Sequence, residues 1–127
     1  MTTTTATMTT TDIANRLVEL CSKGDFEAAQ KKLFAKNAIS IEPHSTPVFE
    51  KETKGLDAII EKGHKWNEMV EKYHGTKVSS PLVAGNSFAV TMHMSVTMKE
   101  KGKKEEMTEL CVYNVKDGQI ISEQFYM

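Results

Sequence analysis

The sequence predicts an α+β domain, with its helices first and an antiparallel sheet last. Three observations lead there. Before about residue 72, apolar residues recur at spacings of three and four, the period of a helix with one buried stripe. After Gly75 they alternate with polar residues, the period of a strand. The length of 127 residues fits one domain and leaves no room for a second of ordinary size.

Residues 1–10 are nearly all threonine, offer little to bury, and read as a flexible tail ahead of a single domain over residues 11–127. The first helix spans about 12–23, capped by Thr11 or Asp12, with Ile13, Leu17, Leu20 and Cys21 on one stripe. Gly24 stops it. Asp25 caps a second helix over about 26–34, with Phe26, Ala29 and Leu33 inward. Residues 38–42 read as a short strand in which Ile39 and Ile41 are the apolar positions. Pro43 and Pro47 bracket a loop, and an extended piece over 48–50 follows. The third helix covers about 56–72, with Ile59, Gly63, Trp66 and Val70 on one face.

The strand pattern is cleanest where Phe88, Val90, Met92, Met94, Val96 and Met98 alternate with small or polar residues. A hairpin at Lys101-Gly102 leads to a strand over 106–115. The turn Lys116-Asp117-Gly118 leads to a last strand over 119–127. A further strand over about 76–83 joins this meander.

Several function classes are excluded by composition. A net charge of −1 lacks the basic surplus that phosphate backbones require, so no nucleic-acid partner is expected. No apolar run has the length of a membrane span. The threonine-rich start has neither a basic nor an apolar region, so it is no secretory signal, and a cytoplasmic protein is expected. Cys21 and Cys111 stand apart, outside any Cys/His cluster, as reduced core thiols rather than metal ligands. No phosphate loop, nucleophile elbow or paired-histidine helix is present, so neither a metal nor an organic cofactor is expected.

The stretches GDFEAAQKKLFAKNAISIEP, KGLDAIIEK and VYNVKDGQIISEQFYM, in that order and spacing, resemble the nuclear transport factor 2-like superfamily, and within it the SnoaL-like branch of small stand-alone proteins. The resemblance covers residues 12–127. It implies three helices packed on a curved antiparallel sheet, forming a cone with one deep pocket. It also implies a binding protein, or an isomerase, cyclase, hydrolase or dehydratase.

Strand register decides which residues would face such a pocket. If Lys116-Asp117-Gly118 is a three-residue loop, Glu109 lies opposite Phe125 and Cys111 opposite Glu123. Glu109, Cys111, Tyr113, Glu123 and Phe125 then share a face, and the two glutamates are diagonal neighbours. A two-residue turn puts them on opposite faces. Shielded from water, one carboxyl would rise toward neutral pH and serve as a general acid or base, with Tyr113 donating to a developing oxyanion. Glu109, Glu123 and Tyr113 are therefore the candidate catalytic residues.

His44, Trp66, Met92, His93, Cys111 and Phe125 are the candidate ligand contacts. Most have a plainer alternative. His44 also reads as an ordinary surface residue in a loop, and Trp66, Met92 and Cys111 read first as core packing. His93 faces Glu109 only if the Lys101-Gly102 hairpin carries an extra residue; otherwise Met94 takes its place and His93 points outward. The function expected is a small-molecule-binding domain with an apolar pocket, or alternatively an acid–base enzyme using a pocket carboxylate. Leu110, Val112 and Ile120 would form an apolar patch on the outer face, which predicts a homodimer through that face.

Overall fold

The computed structural model describes residues 8–127. Helix α1 (Thr10–Ser22) starts earlier than the spacing predicts, because Thr9 and Asp12 form a capping box. The Thr9 hydroxyl accepts from the Asp12 amide at 3.1 Å, and the Asp12 carboxylate accepts from the Thr9 amide at 3.2 Å. Thr9 and Thr10 thus belong to the helix start; residues 1–7 of the expected tail lie outside the described residues. Gly24 follows in the left-handed region, φ 80°, where a Cβ would stand 3.1 Å from the Tyr73 hydroxyl.

Helix α2 (Phe26–Leu33) runs straight into β1 (Phe34–Ile41). The next strand is β2 (Glu52–Lys54) rather than the expected 48–50, because Glu52 to Lys54 pair antiparallel with Ile39 to Ile41. Helix α3 (Leu56–Met69) ends three residues short of the predicted limit. Val70 pairs with Met98, so sheet pairing overrides the helical period and opens β3 (Val70–Val78). Strands β4 (Leu82–Ala84), β5 (Ser87–Met98), β6 (Lys104–Lys116) and β7 (Gln119–Tyr126) complete the chain.

The seven strands form one curved sheet in the order β2-β1-β7-β6-β5-β3, with β4 on β5. The expectation of a purely antiparallel sheet is corrected at one place: β1 and β7 pair parallel. The pair joins strands from opposite ends of the domain, with the rest of the chain as the crossover, and no local pattern announces it.

The β6–β7 hairpin decides the site. Lys116 pairs with Gln119, and Asp117 (φ 52°) and Gly118 (φ 75°) both take left-handed backbone, so the turn has two residues, not three. A bulge then inserts Ile121 between the Val115–Ile120 and Asn114–Ser122 pairs. The extra residue restores the facing that the two-residue turn would have broken. The two-residue turn itself sets Ile120 opposite Val115 and so turns it inward: Ile120 is fully buried in the core and cannot belong to an outer patch, which corrects that assignment.

The helices cover one face of the sheet. Ile13, Leu17, Leu33, Ile59, Phe88, Val90 and Ile120 are the large side chains of the core between them. No helix among the described residues is long and apolar enough to cross a membrane.

Candidate functional site

On the helix-covered face of the sheet, next to the buried Val115–Ile120–Phe34 row, three rows of side chains hold the candidates. The first runs Phe88–Tyr113–Glu123–Ser40 through β5, β6, β7 and β1. The next holds Val90, Cys111 and Phe125, with Glu42 one residue past the Ile41–Gln124 pair. The third pairs Met92 with Glu109. Glu109, Cys111, Tyr113, Glu123 and Phe125 therefore share a face, although the register differs from the predicted one. Cys111 lies opposite Phe125 and Tyr113 opposite Glu123. The glutamates are two rows apart, roughly 13 Å along the strands, rather than diagonal neighbours.

Strand β1 presents an inward face that hydropathy alone would have assigned outward. Ala38 and Ser40 are fully buried, while Ile39 and Ile41 are only half-buried on the other side. Ser40 donates to Glu123 Oε2 at 2.7 Å. Lys62 reaches in from α3 because it follows Ile59 by three residues, on the same stripe. Its ammonium donates to Ser40 Oγ at 2.7 Å and to Glu42 Oε1 at 3.1 Å, and stands 5.8 Å from the centroid of the Phe125 ring. Sequence reasoning missed Ser40, Glu42 and Lys62. The signal available was a lysine on an apolar stripe and a serine at an inward strand position.

Burial pushes the Glu109 carboxyl up to about 7, helped by the charges of Glu42 and then Glu123 and opposed by Lys62. Burial also pushes Glu123 up to about 7, against the Ser40 hydrogen bond and Lys62, with Glu42 adding to the rise. Mutual repulsion, the cause expected of diagonal neighbours, is thus minor beside burial. Among the described residues, the hydrogen-bond partner of the Glu109 side chain is the Cys111 thiol, at 4.0 Å. Burial raises both thiols, Cys21 to about 12 and Cys111 further, so neither is a nucleophile. Tyr113 is raised by burial too, and its ring stacks on Phe88 with centroids 4.8 Å apart.

The remaining candidates fall elsewhere. His93 pairs with Thr108 on the outer face, where it contacts Thr108 Oγ1 at 2.7 Å and Glu106 Oε2 at 2.5 Å. Met92, not His93, stands opposite Glu109, because Met94 pairs with Met107 and sets the register; the pocket assignment of His93 is corrected on that ground. His44 is exposed in the loop after β1, and Trp66 is half-buried on α3.

A hollow of about 430 Å³ opens between residues 46–50 and α3, with Phe49, Lys62 and Lys65 in its wall. Lys62 is the residue it shares with the interior rows. A second hollow, about 580 Å³, lies at the start of α1 against the β6–β7 turn, away from the carboxyls.

A family model described as SnoaL-like domain matches residues 8–127. Among solved structures, a candidate SnoaL-like polyketide cyclase from Mesorhizobium loti is similar at 34% identity, with 94% of this chain and 100% of that one covered and a TM-score of 0.87. A nuclear transport factor 2-like protein from Burkholderia thailandensis is similar at 20% identity, 94% and 90% coverage and a TM-score of 0.78. IdmH, a candidate polyketide cyclase from Streptomyces antibioticus, is similar at 19% identity, 94% and 91% coverage and a TM-score of 0.71. No curated protein matches.

Proposed function

We propose that this chain, which belongs to the SnoaL-like domain family, binds a small apolar carbonyl compound against the inner face of its sheet and moves a proton on it with Glu109. The observation that carries the proposal is the state of Glu109. It is half-buried, raised to about 7, and bonded to no cation among the described residues. A carboxyl poised near neutral pH takes a proton and gives one back with little driving force lost either way.

The walls beside it suit an apolar ligand. Met92 faces Glu109 across the sheet, Met107 and Cys111 flank it on β6, and Met94 pairs with Met107. Methionines adapt to irregular apolar shapes. Removal of a proton beside a carbonyl is the first step of both double-bond migration and ring closure between carbonyls. The Mesorhizobium loti protein is described as a candidate polyketide cyclase, which fits the same first step. Tyr113, stacked on Phe88 in the core two rows from Glu109, we assign to the wall rather than to the oxyanion.

The outer face supports a homodimer. Leu82, Ala89, Val112 and Ile41 lie on one row across it, interrupted by Gln124, and Leu110 pairs with Tyr126 beside them. Leu110 is 41% exposed and Tyr126 48%. An uncovered apolar row of this kind favours association. The two free thiols fit a reducing, cytoplasmic setting.

The test is exchange of α-protons for deuterium in small β-diketones and β-ketoesters. The wild type should accelerate exchange, and Glu109→Gln should lower the acceleration by about 10²- to 10⁴-fold while leaving the fold intact. Equal exchange by both proteins removes Glu109 from the chemistry. Native mass spectrometry of freshly purified protein tests for a retained ligand independently.

A further inference from the structure

Four segments supply the titratable groups that surround Glu109 and Glu123. α1 supplies Cys21, the residue after β1 is Glu42, α3 supplies Lys62, and β6 supplies Cys111 and Tyr113 besides Glu109 itself. Lys62 is the cation that acts on both carboxyls. It acts on them differently. Glu123 is joined to it by hydrogen bonds in series: the ammonium donates to Ser40 Oγ and the Ser40 hydroxyl donates to Glu123, each at 2.7 Å. A hydroxyl has one hydrogen to give. Ser40 gives it to Glu123 and receives from Lys62, so the chain runs one way and ends on a carboxylate oxygen. Such a chain favours and orients the ionised acceptor. Glu109 has no link of this kind; Lys62 reaches it through space alone.

We infer that Lys62 is a positioning residue that, through Ser40, fixes and orients the Glu123 carboxyl and eases its ionisation, while Glu109, which lacks that link, is left free to carry the proton. The assignment of the proton to Glu109 rests on the function proposed above; the action of Lys62 on Glu123 does not. Burial fits this positioning. Glu123 is 5% exposed and the more enclosed of the two, and the Ser40 hydrogen bond and Lys62 oppose the rise that burial causes there. The geometry also explains why a lysine occupies an apolar helix stripe. Its carbon stem crosses the packed layer and its head meets three acceptors or faces: Ser40, Glu42 and the Phe125 ring.

The test is a ¹³C NMR titration of the glutamate carboxyls in the whole chain, assigned with Glu109→Gln and Glu123→Gln. In Lys62→Met the Glu123 midpoint should rise by about one pH unit or more. Lys62→Arg, which keeps the charge, should restore most of it. Ser40→Ala cuts the chain and leaves the ammonium in place. It should also raise Glu123, while Glu109 moves less. A Glu123 midpoint unmoved in Lys62→Met or in Ser40→Ala overturns the inference, as does failure of Lys62→Arg to restore it. If Lys62→Met does not fold, Ser40→Ala and Lys62→Arg carry the test. Because the titration needs no substrate, its failure sinks the role of Lys62 and leaves Glu109 untouched. Failure of the exchange assay does the reverse.

Discussion

Replacing Glu123 by glutamine should make the protein relatively more stable as pH rises. The carboxyl has an ordinary value of 4.5, and burial raises it to about 7 in the folded chain. The fold therefore favours the neutral form. Stability from this group is fully present below 4.5 and is lost as pH climbs through about 7. The gap is about 2.5 pH units at about 1.4 kcal/mol each, or about 3 kcal/mol in full. Most of that, about 2–3 kcal/mol, falls between pH 5 and pH 8. Glutamine is neutral throughout, so its carbonyl can accept from Ser40 at every pH. Its unpartnered amide costs about 1–3 kcal/mol, but by the same amount at each pH. The comparison of pH profiles isolates the titration. Urea unfolding of wild type and Glu123→Gln at pH 5, 6, 7 and 8 is the assay. The difference in unfolding free energy should swing toward the variant by about 2–3 kcal/mol over that range, equivalent to roughly 10 °C in melting temperature for a chain of this size. The surface pair of His64 with Glu27 also titrates, but it lies on the surface in both proteins and cancels. Parallel profiles, or a swing toward the wild type, would refute the assignment of Glu123 as a carboxyl held against burial.

Two further outcomes follow from the sheet. Light scattering at micromolar concentration should report twice the chain mass of 14.2 kDa, and Leu110→Lys with Val112→Glu should halve it; a monomeric wild type ends the dimer proposal. Cys21 and Cys111, both buried and raised by burial, should react with a thiol reagent at least 10²-fold more slowly in the folded chain than in urea, and rapid labelling of either would contradict its place in the core.

Much of this architecture is legible in the residues, and the failures have physical causes. Helix stripes such as Ile13, Leu17 and Leu20 and the alternation from Phe88 to Met98 are local patterns, and the elements they predict are present. Glu109 and Glu123 share the inner face as expected, but for another reason: a two-residue turn and a bulge together preserve the facing that one three-residue loop was supposed to provide. A bulge carries no compositional mark unless glycine makes it, so Ile120 and Ile121 look alike in sequence although one is buried and the other is the inserted residue. The parallel β1–β7 pair joins Ser40 to Glu123, 83 residues apart, and separations of that size leave no periodicity to read. Lys62 was visible as an exception on the stripe of α3, but its partners come from β1 and β7, which only the folded sheet brings beneath it.

The polar set is hard to explain as packing. Ser40 is fully buried in a strand whose isoleucines face the other way and are only half-buried, an inversion that gives up roughly half of the 1.5–3 kcal/mol that full burial of each side chain contributes. Glu123 costs about 3 kcal/mol more once pH passes its raised value. Replacing an enclosed ion pair with apolar residues of similar volume is commonly neutral or stabilising, so an interior kept only for stability would hold none of these groups. Yet every buried polar side-chain atom among the described residues has a hydrogen-bond partner. A sequence that departs from its own local rules, and then satisfies each departure, does so where a site must be held in one geometry. The arrangement also grades inward. The carboxyl that accepts from Ser40, Glu123, lies in a fully packed row beside Phe88 and Tyr113. The loosely bonded one, Glu109, lies two rows out among methionines. On the function proposed above, the less enclosed carboxyl is the one suited to trade protons with a ligand.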